Sequence, residues 1–251
     1  MSQKVLLITG ATGGIGVEAC KIFGRNGYAI AFNDYNQEKG AAVLAELNGL
    51  GIKAAFYHGD ATDERFVNKM VAQVIAEFGR IDVLINNVGG LGGRSPIDEM
   101  TSEFYHKVMD LNMTSVFYAT RACTPYLKQV GQADGNAAII NVTSIAAYNG
   151  GGPGASIYAV AKAGVLAFTK GLAKELIPFG IRVNAVSPGT IDTPFHAATA
   201  PEIIETWRKG IPAQRLGKPE EVATGMYFLA SEQASYIVGE VIQINGGQMM
   251  D

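Results

Sequence analysis

The sequence predicts an α/β protein: a single-domain Rossmann-type doubly wound fold, with a seven-stranded parallel sheet flanked by helices. Three observations predict it. Seven short apolar runs rich in β-formers recur along 251 residues, separated by longer helical stretches. Most of these runs are apolar on consecutive residues rather than on alternate ones, which marks strands buried on both faces. A glycine-rich turn joins the first run directly to the first helix, the place where such folds receive phosphate.

The elements follow in order. The run 5–9 passes through the glycine turn into a helix over 14–26, and the run 28–33 is followed by a helix over 37–49. The runs 54–58 and 83–86 lead into helices over 63–79 and 101–129, and the run 138–142 precedes a helix over 156–177. The run 182–187 opens into an irregular stretch that ends at a helix over 218–231, and the run 241–245 closes the sheet. Right-handed crossovers place the C-terminal ends of all these strands on one edge. The irregular stretch, 188–217, holds Pro188, Pro194, Pro201 and Pro212 with a short helix near 201–209, and is expected to form a lid over that edge. No linker, repeat or low-complexity segment interrupts the pattern, so residues 1–251 are expected to form one domain.

Composition narrows the function. Hydrophobic residues make up 48% and charged residues 17%, enough for a large core and against disorder. The net charge is −3 with both signs dispersed, which argues against a nucleic-acid partner or a membrane surface. The first apolar run is too short for a signal segment or a bilayer span. Cys20 and Cys123 fall in predicted helices outside any C-x-x-C pattern, as reduced structural thiols of a cytoplasmic protein do. His58, His106 and His196 are scattered, so no metal site is expected.

The chemistry lies in four separated pieces. Gly10, Gly14 and Gly16 follow the first strand and open the first helix, where phosphate needs backbone N–H groups unobstructed by Cβ atoms. The spacing is G-x-x-x-G-x-G, not G-x-G-x-x-G. Asp34 ends the second strand about twenty residues further on, where an acid binds adenosine ribose hydroxyls and repels an added phosphate. No Arg or Lys stands at 33, 35 or 36, so NAD(H) is favoured over NADP(H). Asp60 follows the third strand and suits either the adenine amino group or a helix cap beside Thr62.

Tyr158 and Lys162 share one face of a helix, and an ammonium beside a phenol pulls the tyrosine pKa down toward the range useful for proton transfer. Ser144 ends the fifth strand and can donate a hydrogen bond to a reacting carbonyl oxygen. A second Y-x-x-x-K match, Tyr35–Lys39, follows Asp34 on the adenosine side and is set aside. Asn112, a poor helix former inside the 101–129 stretch, is expected to kink the helix and bind a water that relays protons toward Lys162.

With these residues in place, the chain resembles single-domain short-chain dehydrogenase/reductases from about residue 4 to its end. The resemblance makes Gly10, Gly14 and Gly16 the family glycine motif and Asn86-Asn87-Val88-Gly89 its N-N-A-G, with Val for Ala. It makes Asn112, Ser144, Tyr158 and Lys162 the catalytic tetrad. Pro188-Gly189, with Thr190, Ile191 and Thr193, becomes the stretch that closes over nicotinamide. Asn245-Gly246-Gly247 stands for the usual D-G-G. The cofactor side then comprises Gly10, Thr12, Gly14, Ile15, Gly16, Asp34, Asp60, Ala61, Asn87, Val88, Gly89, Tyr158, Lys162, Pro188, Gly189, Ile191 and Thr193.

Three segments, Gly89–Arg94, Asn149–Gly154 and Asp192–His196, are similar to those of alginate-degrading reductases that convert 4-deoxy-L-erythro-5-hexoseulose uronate into 2-keto-3-deoxy-gluconate. On that resemblance Arg94, Ser144, Gly150 and His196 face a small polar carbonyl substrate, with Arg94 and His196 toward its carboxylate. The alternatives within the family are a 3-oxoacyl-thioester reductase and a general sugar or polyol dehydrogenase. A non-catalytic dinucleotide sensor is a remote alternative, and a serine hydrolase fails for want of a G-x-S-x-G elbow. The resemblance also implies a homotetramer, built on small residues such as Ala119, Ala122, Ala163, Gly164, Ala167 and Gly171; the alternative is that these pack only on their own sheet.

Overall fold

The computed structural model describes residues 3–193 and 200–250. Its strands are β1 (Val5–Thr9), β2 (Ala29–Asp34), β3 (Ala54–His58), β4 (Val83–Asn86), β5 (Ala137–Val142), β6 (Ile181–Pro188) and β7 (Val241–Ile244). They pair in the order β3-β2-β1-β4-β5-β6-β7, every pair parallel. The order reverses direction beside β1 and β4, and a doubly wound sheet opens its crevice at such a switch point.

The strands are buried on both faces because consecutive apolar side chains feed two cores. Along β1, Leu6 and Ile8 enter one core, while Val5 and Leu7 enter the other. The first core is closed by α1 (Gly14–Arg25), α2 (Gln37–Gly49) and α9 (Pro219–Ala230), through Phe23, Leu47, Met226 and Leu229. The second is closed by α3 (Glu64–Phe78), α5 (Ser115–Asp134) and α7 (Ser156–Leu176), through Met70, Leu127 and Leu176. Local signals set the helix ends. Asp63 caps α3 by accepting from the Arg65 and Phe66 amides, and Gly79 stops it at φ 79°.

Two elements differ from expectation. The stretch expected as one helix over 101–129 is α4 (Ser102–Met109), a π-helical turn (Asp110–Thr114) and then α5, which runs through Pro125 and ends at Gly135. A short α6 (Ala146–Asn149) also lies between Ser144 and the glycine-rich turn. Within 188–217, Pro188 completes β6, Ile191 bridges to Gly217, and α8 spans Pro201–Gly210. Among the described residues, no helix is long and apolar enough to cross a membrane.

Candidate active site

A cleft of about 890 Å³ runs along the C-terminal edge of the sheet, from the glycine turn to Tyr158 and Arg94. At one end lies the start of α1. Among the described residues no side chain caps this helix, and its first turn carries no acid, so its leading N–H groups are open where Gly14, Ile15 and Gly16 line the cleft. Gly10 adopts φ 64°, and a Cβ there would lie 2.9 Å from the Val88 Cα, so only glycine lets the two segments meet. Asn87 fastens that meeting by donating to the Gly10 carbonyl at 2.7 Å, while Thr9 Oγ1 receives the Asn87 and Val88 amides at 3.3 and 3.4 Å. This set of open N–H donors beneath a tight turn fits a pyrophosphate.

Asp34 is buried and accepts from the Thr12 amide at 3.1 Å and the Asn36 amide at 3.0 Å. It therefore braces the glycine turn as well as lining the cleft. Asp60 is exposed and holds the Thr62 amide and hydroxyl on one oxygen, at 2.8 Å each. The cap of α3 is Asp63, so the cap role expected for Asp60 belongs to its neighbour. Ala61 lines the cleft beside it. Tyr35 and Lys39, set aside in the sequence, also line the cleft, and exposed Lys39 adds a cation to its lining.

At the other end, α7 places Tyr158 and Lys162 under Ser144. Helix α7 is pinned to the end of β5 and to the residue after it: Lys162 Nζ donates to the Val142 carbonyl at 2.9 Å, and Thr143 Oγ1 donates to the Lys162 carbonyl at 2.9 Å. Lys162 is buried, and burial pushes its pKa down to about 8. Its Nζ lies 5.9 Å from the Tyr158 ring centroid. Burial raises the phenol pKa, and the hydrogen bond with Ser144 opposes that rise. The lowering expected from Lys162 does not offset that rise, and its ammonium donates instead to the Val142 carbonyl.

Asn112 sits fully buried in the π-helical turn and does not line the cleft. Its amide donates to the Gly90 and Val108 carbonyls at 2.8 and 2.9 Å, and its oxygen accepts the Gly90 amide at 3.0 Å. Both N–H groups are thus spent on backbone, and the side chain clamps the loop after β4. A Cβ on Gly89 would lie 2.7 Å from Lys162 Nζ and 2.9 Å from Asn112 Oδ1, which places the three residues in one packed corner.

On the substrate side, Arg94 Nη1 donates to the Pro153 carbonyl at 2.7 Å, and the Ser95 amide donates to the Gly154 carbonyl at 3.0 Å. These bonds zip the loop after β4 to the glycine-rich turn and hold Arg94 at the cleft. Gly150 does not line it: this residue ends α6 at φ 78° with open space around it, and Gly151 and Gly152 take the lining positions. His196 lies outside the described residues. Pro188, Gly189, Thr190, Ile191 and Thr193 line the wall opposite. Leu91, Leu111 and Ala155 line the cleft too, and nothing in their residue types singled them out.

Comparison with known proteins agrees with this architecture. A family model described as enoyl-(acyl carrier protein) reductase matches residues 10–249. A 3-oxoacyl-[acyl-carrier-protein] reductase of Thermotoga maritima is 39% identical over 247 residues, 98% of each chain. The structure of an NADH-dependent reductase, A1-R′, responsible for alginate metabolism, superposes with a TM-score of 0.90 at 36% identity, covering 100% of this chain and 98% of that one. The same reductase complexed with NAD superposes with a TM-score of 0.88. A short-chain dehydrogenase/reductase of the glucose/ribitol dehydrogenase type from Brucella melitensis gives 0.91 at 32% identity, with both chains covered fully.

Proposed function

The chain belongs to the short-chain dehydrogenase/reductase family, and on that premise we propose that it reduces the carbonyl of a small, carboxylate-bearing keto or aldehyde sugar acid with NADH. The best candidate is 4-deoxy-L-erythro-5-hexoseulose uronate, giving 2-keto-3-deoxy-gluconate. The observation that carries the reading is one continuous cleft that joins the open N-terminus of α1 to Ser144 and Tyr158 and then to Arg94. The likeness to a reductase of alginate metabolism supports the substrate class.

The dinucleotide fits along this cleft. Its pyrophosphate would meet the N–H groups of Gly14, Ile15 and Gly16, and its adenosine hydroxyls would meet Asp34. When bound, nicotinamide supplies the hydride. Ser144 orients the carbonyl oxygen, and Tyr158 gives that oxygen its proton as the alcohol forms. A phenol whose pKa is raised by burial is held in the protonated form this step requires. Lys162, with its pKa at about 8, is mostly charged at neutral pH and offsets the phenolate left behind. Asn112 holds Gly90 and so keeps the substrate loop in place. Asp34 and the NAD-bound relative support NADH over NADPH; Lys39 is the feature that would favour the reverse.

A 3-oxoacyl thioester is the second reading, favoured by the 39% identical relative. We also place the protein in the cytoplasm as a homotetramer. Its buried cysteines make no disulfide. Of the small residues on α5 and α7, Ala119 packs on its own sheet, whereas Ala167 and Gly171 on α7 stay exposed, as does Phe117 on α5, leaving surface suited to a second copy. Tyr158→Phe tests the chemistry: turnover falls by at least about 100-fold while NADH affinity stays within a few-fold. Turnover left intact, or NADH binding lost along with turnover, would place the site elsewhere.

A further inference from the structure

The wall that closes the nicotinamide end is held from the C-terminal end of the described chain. Thr190 lines the cleft, and all of its polar groups are taken. Its amide donates to Gln248 Oε1 at 2.7 Å, its hydroxyl accepts from Gln248 Nε2 at 3.0 Å, and its carbonyl accepts from the Gly217 amide at 3.0 Å. Gln248 therefore grips one residue with both ends of its side-chain amide, across 58 positions of sequence.

Two further observations place the same turn at this wall. A Cβ on Gly189 would collide with the Gln248 side-chain oxygen and lie 2.8 Å from the Asn245 Cα, so the wall and the C-terminal turn touch at van der Waals range. The Gly246 carbonyl also accepts the Ala213 amide at 3.0 Å. The turn Asn245–Gln248, itself tied by the Gly247 amide donating to Asn245 Oδ1 at 2.9 Å, thus fastens both the entry (Thr190) and the exit (Ala213) of the segment after β6.

We propose that Gln248 is a positioning residue for the dinucleotide: by holding Thr190 it keeps residues 189–193 in the form that receives nicotinamide. The proposal rests on the dinucleotide reading above. A loop that must be ordered before it binds lowers apparent affinity by the fraction of time it is ordered, so the clamp acts on cofactor affinity rather than on the chemical step.

The test compares wild type, Gln248→Ala and Gln248→Glu. Glutamate keeps an acceptor for the Thr190 amide, and the Thr190 hydroxyl can turn to donate to it, so it serves as the conservative rescue. In Gln248→Ala, amide exchange over 189–193 quickens in the cofactor-free protein, and the Kd and KM for NADH rise about tenfold. Its kcat at saturating NADH stays within about twofold of wild type, and Gln248→Glu restores most of the affinity. Unchanged exchange in Gln248→Ala would show that no clamp exists, whatever the protein binds. Faster exchange with unchanged NADH affinity, or a fall in kcat without a rise in KM, would refute the positioning role. If wild type binds neither NADH nor NADPH while exchange still responds, the dinucleotide reading fails and takes the positioning role with it.

Discussion

Lys162→Met should make the cofactor-free protein more stable while it destroys activity. Lys162 keeps an ammonium at 3% exposure with, among the described residues, a single hydrogen bond from that ammonium, to the Val142 carbonyl, and burial brings its pKa from 10.5 to about 8. That shift corresponds to a cost of about 3 kcal/mol for holding the charge inside the folded chain. Methionine is close to the lysine stem in length and removes the charge, but it leaves the Val142 carbonyl without its donor, which returns about 1 kcal/mol. A net gain of about 2 kcal/mol raises the melting temperature of a chain this size by about 4–8 °C.

The pH dependence identifies the cause. Because the folded pKa lies below the unfolded one, the unfolded chain binds more protons between pH 8 and 10.5, and wild-type stability rises with pH across that window. The advantage of Lys162→Met is therefore complete below pH 8 and shrinks to about zero near pH 10. Thermal melts at pH 7 and pH 10, with and without NADH, read this directly. NADH should stabilise wild type more than the variant, since the variant lacks the ammonium on the cofactor side of the cleft. A variant that melts lower than wild type at pH 7, or a difference that ignores pH, would refute the claim that this charge is held at a cost.

Two other substitutions test the rest of the cleft. Asp34→Ala removes the acceptor of the Thr12 and Asn36 amides along with the carboxylate, so the KM for NADH rises by about 10- to 100-fold. The ratio of NADPH to NADH efficiency increases at the same time, with Lys39 free to meet the added phosphate; steady-state kinetics with both cofactors would disprove this if the ratio held constant. Arg94→Ala raises the KM for a carboxylate-bearing substrate by at least about tenfold and leaves that for an uncharged ketone within about twofold, which paired kinetics on the two substrates will read.

The strands were legible because burial on both faces leaves a plain mark, consecutive β-formers such as Val5-Leu6-Leu7-Ile8. The glycine turn was legible because Gly10 answers a local demand, φ 64° against Val88. Asn112 was half legible: its poor helix propensity pointed to an interrupted helix, but the π-helical turn and the bond to Gly90 depend on a loop 22 positions away. The direction of the tyrosine shift was not legible for a related reason. Helical spacing puts Lys162 beside Tyr158, yet the Val142 carbonyl, on another element, decides where the ammonium points. Lys39 was legible only as half of the Tyr35–Lys39 match that was set aside, and Gln248 was hidden because it belongs to no local pattern and acquires its setting only when distant segments close on it. Gly150 shows the limit of a run of glycines, in which backbone conformation alone decides which of Gly150, Gly151 and Gly152 faces the cleft.

The central claim is NADH-linked reduction of a carboxylate-bearing keto or aldehyde sugar acid. It is tested most directly by following NADH and NADPH oxidation with 4-deoxy-L-erythro-5-hexoseulose uronate beside an acetoacetyl thioester. The account predicts fast turnover of the uronate with NADH, slower turnover with NADPH and little with the thioester. Preferential turnover of the thioester, or of neither compound, would contradict it.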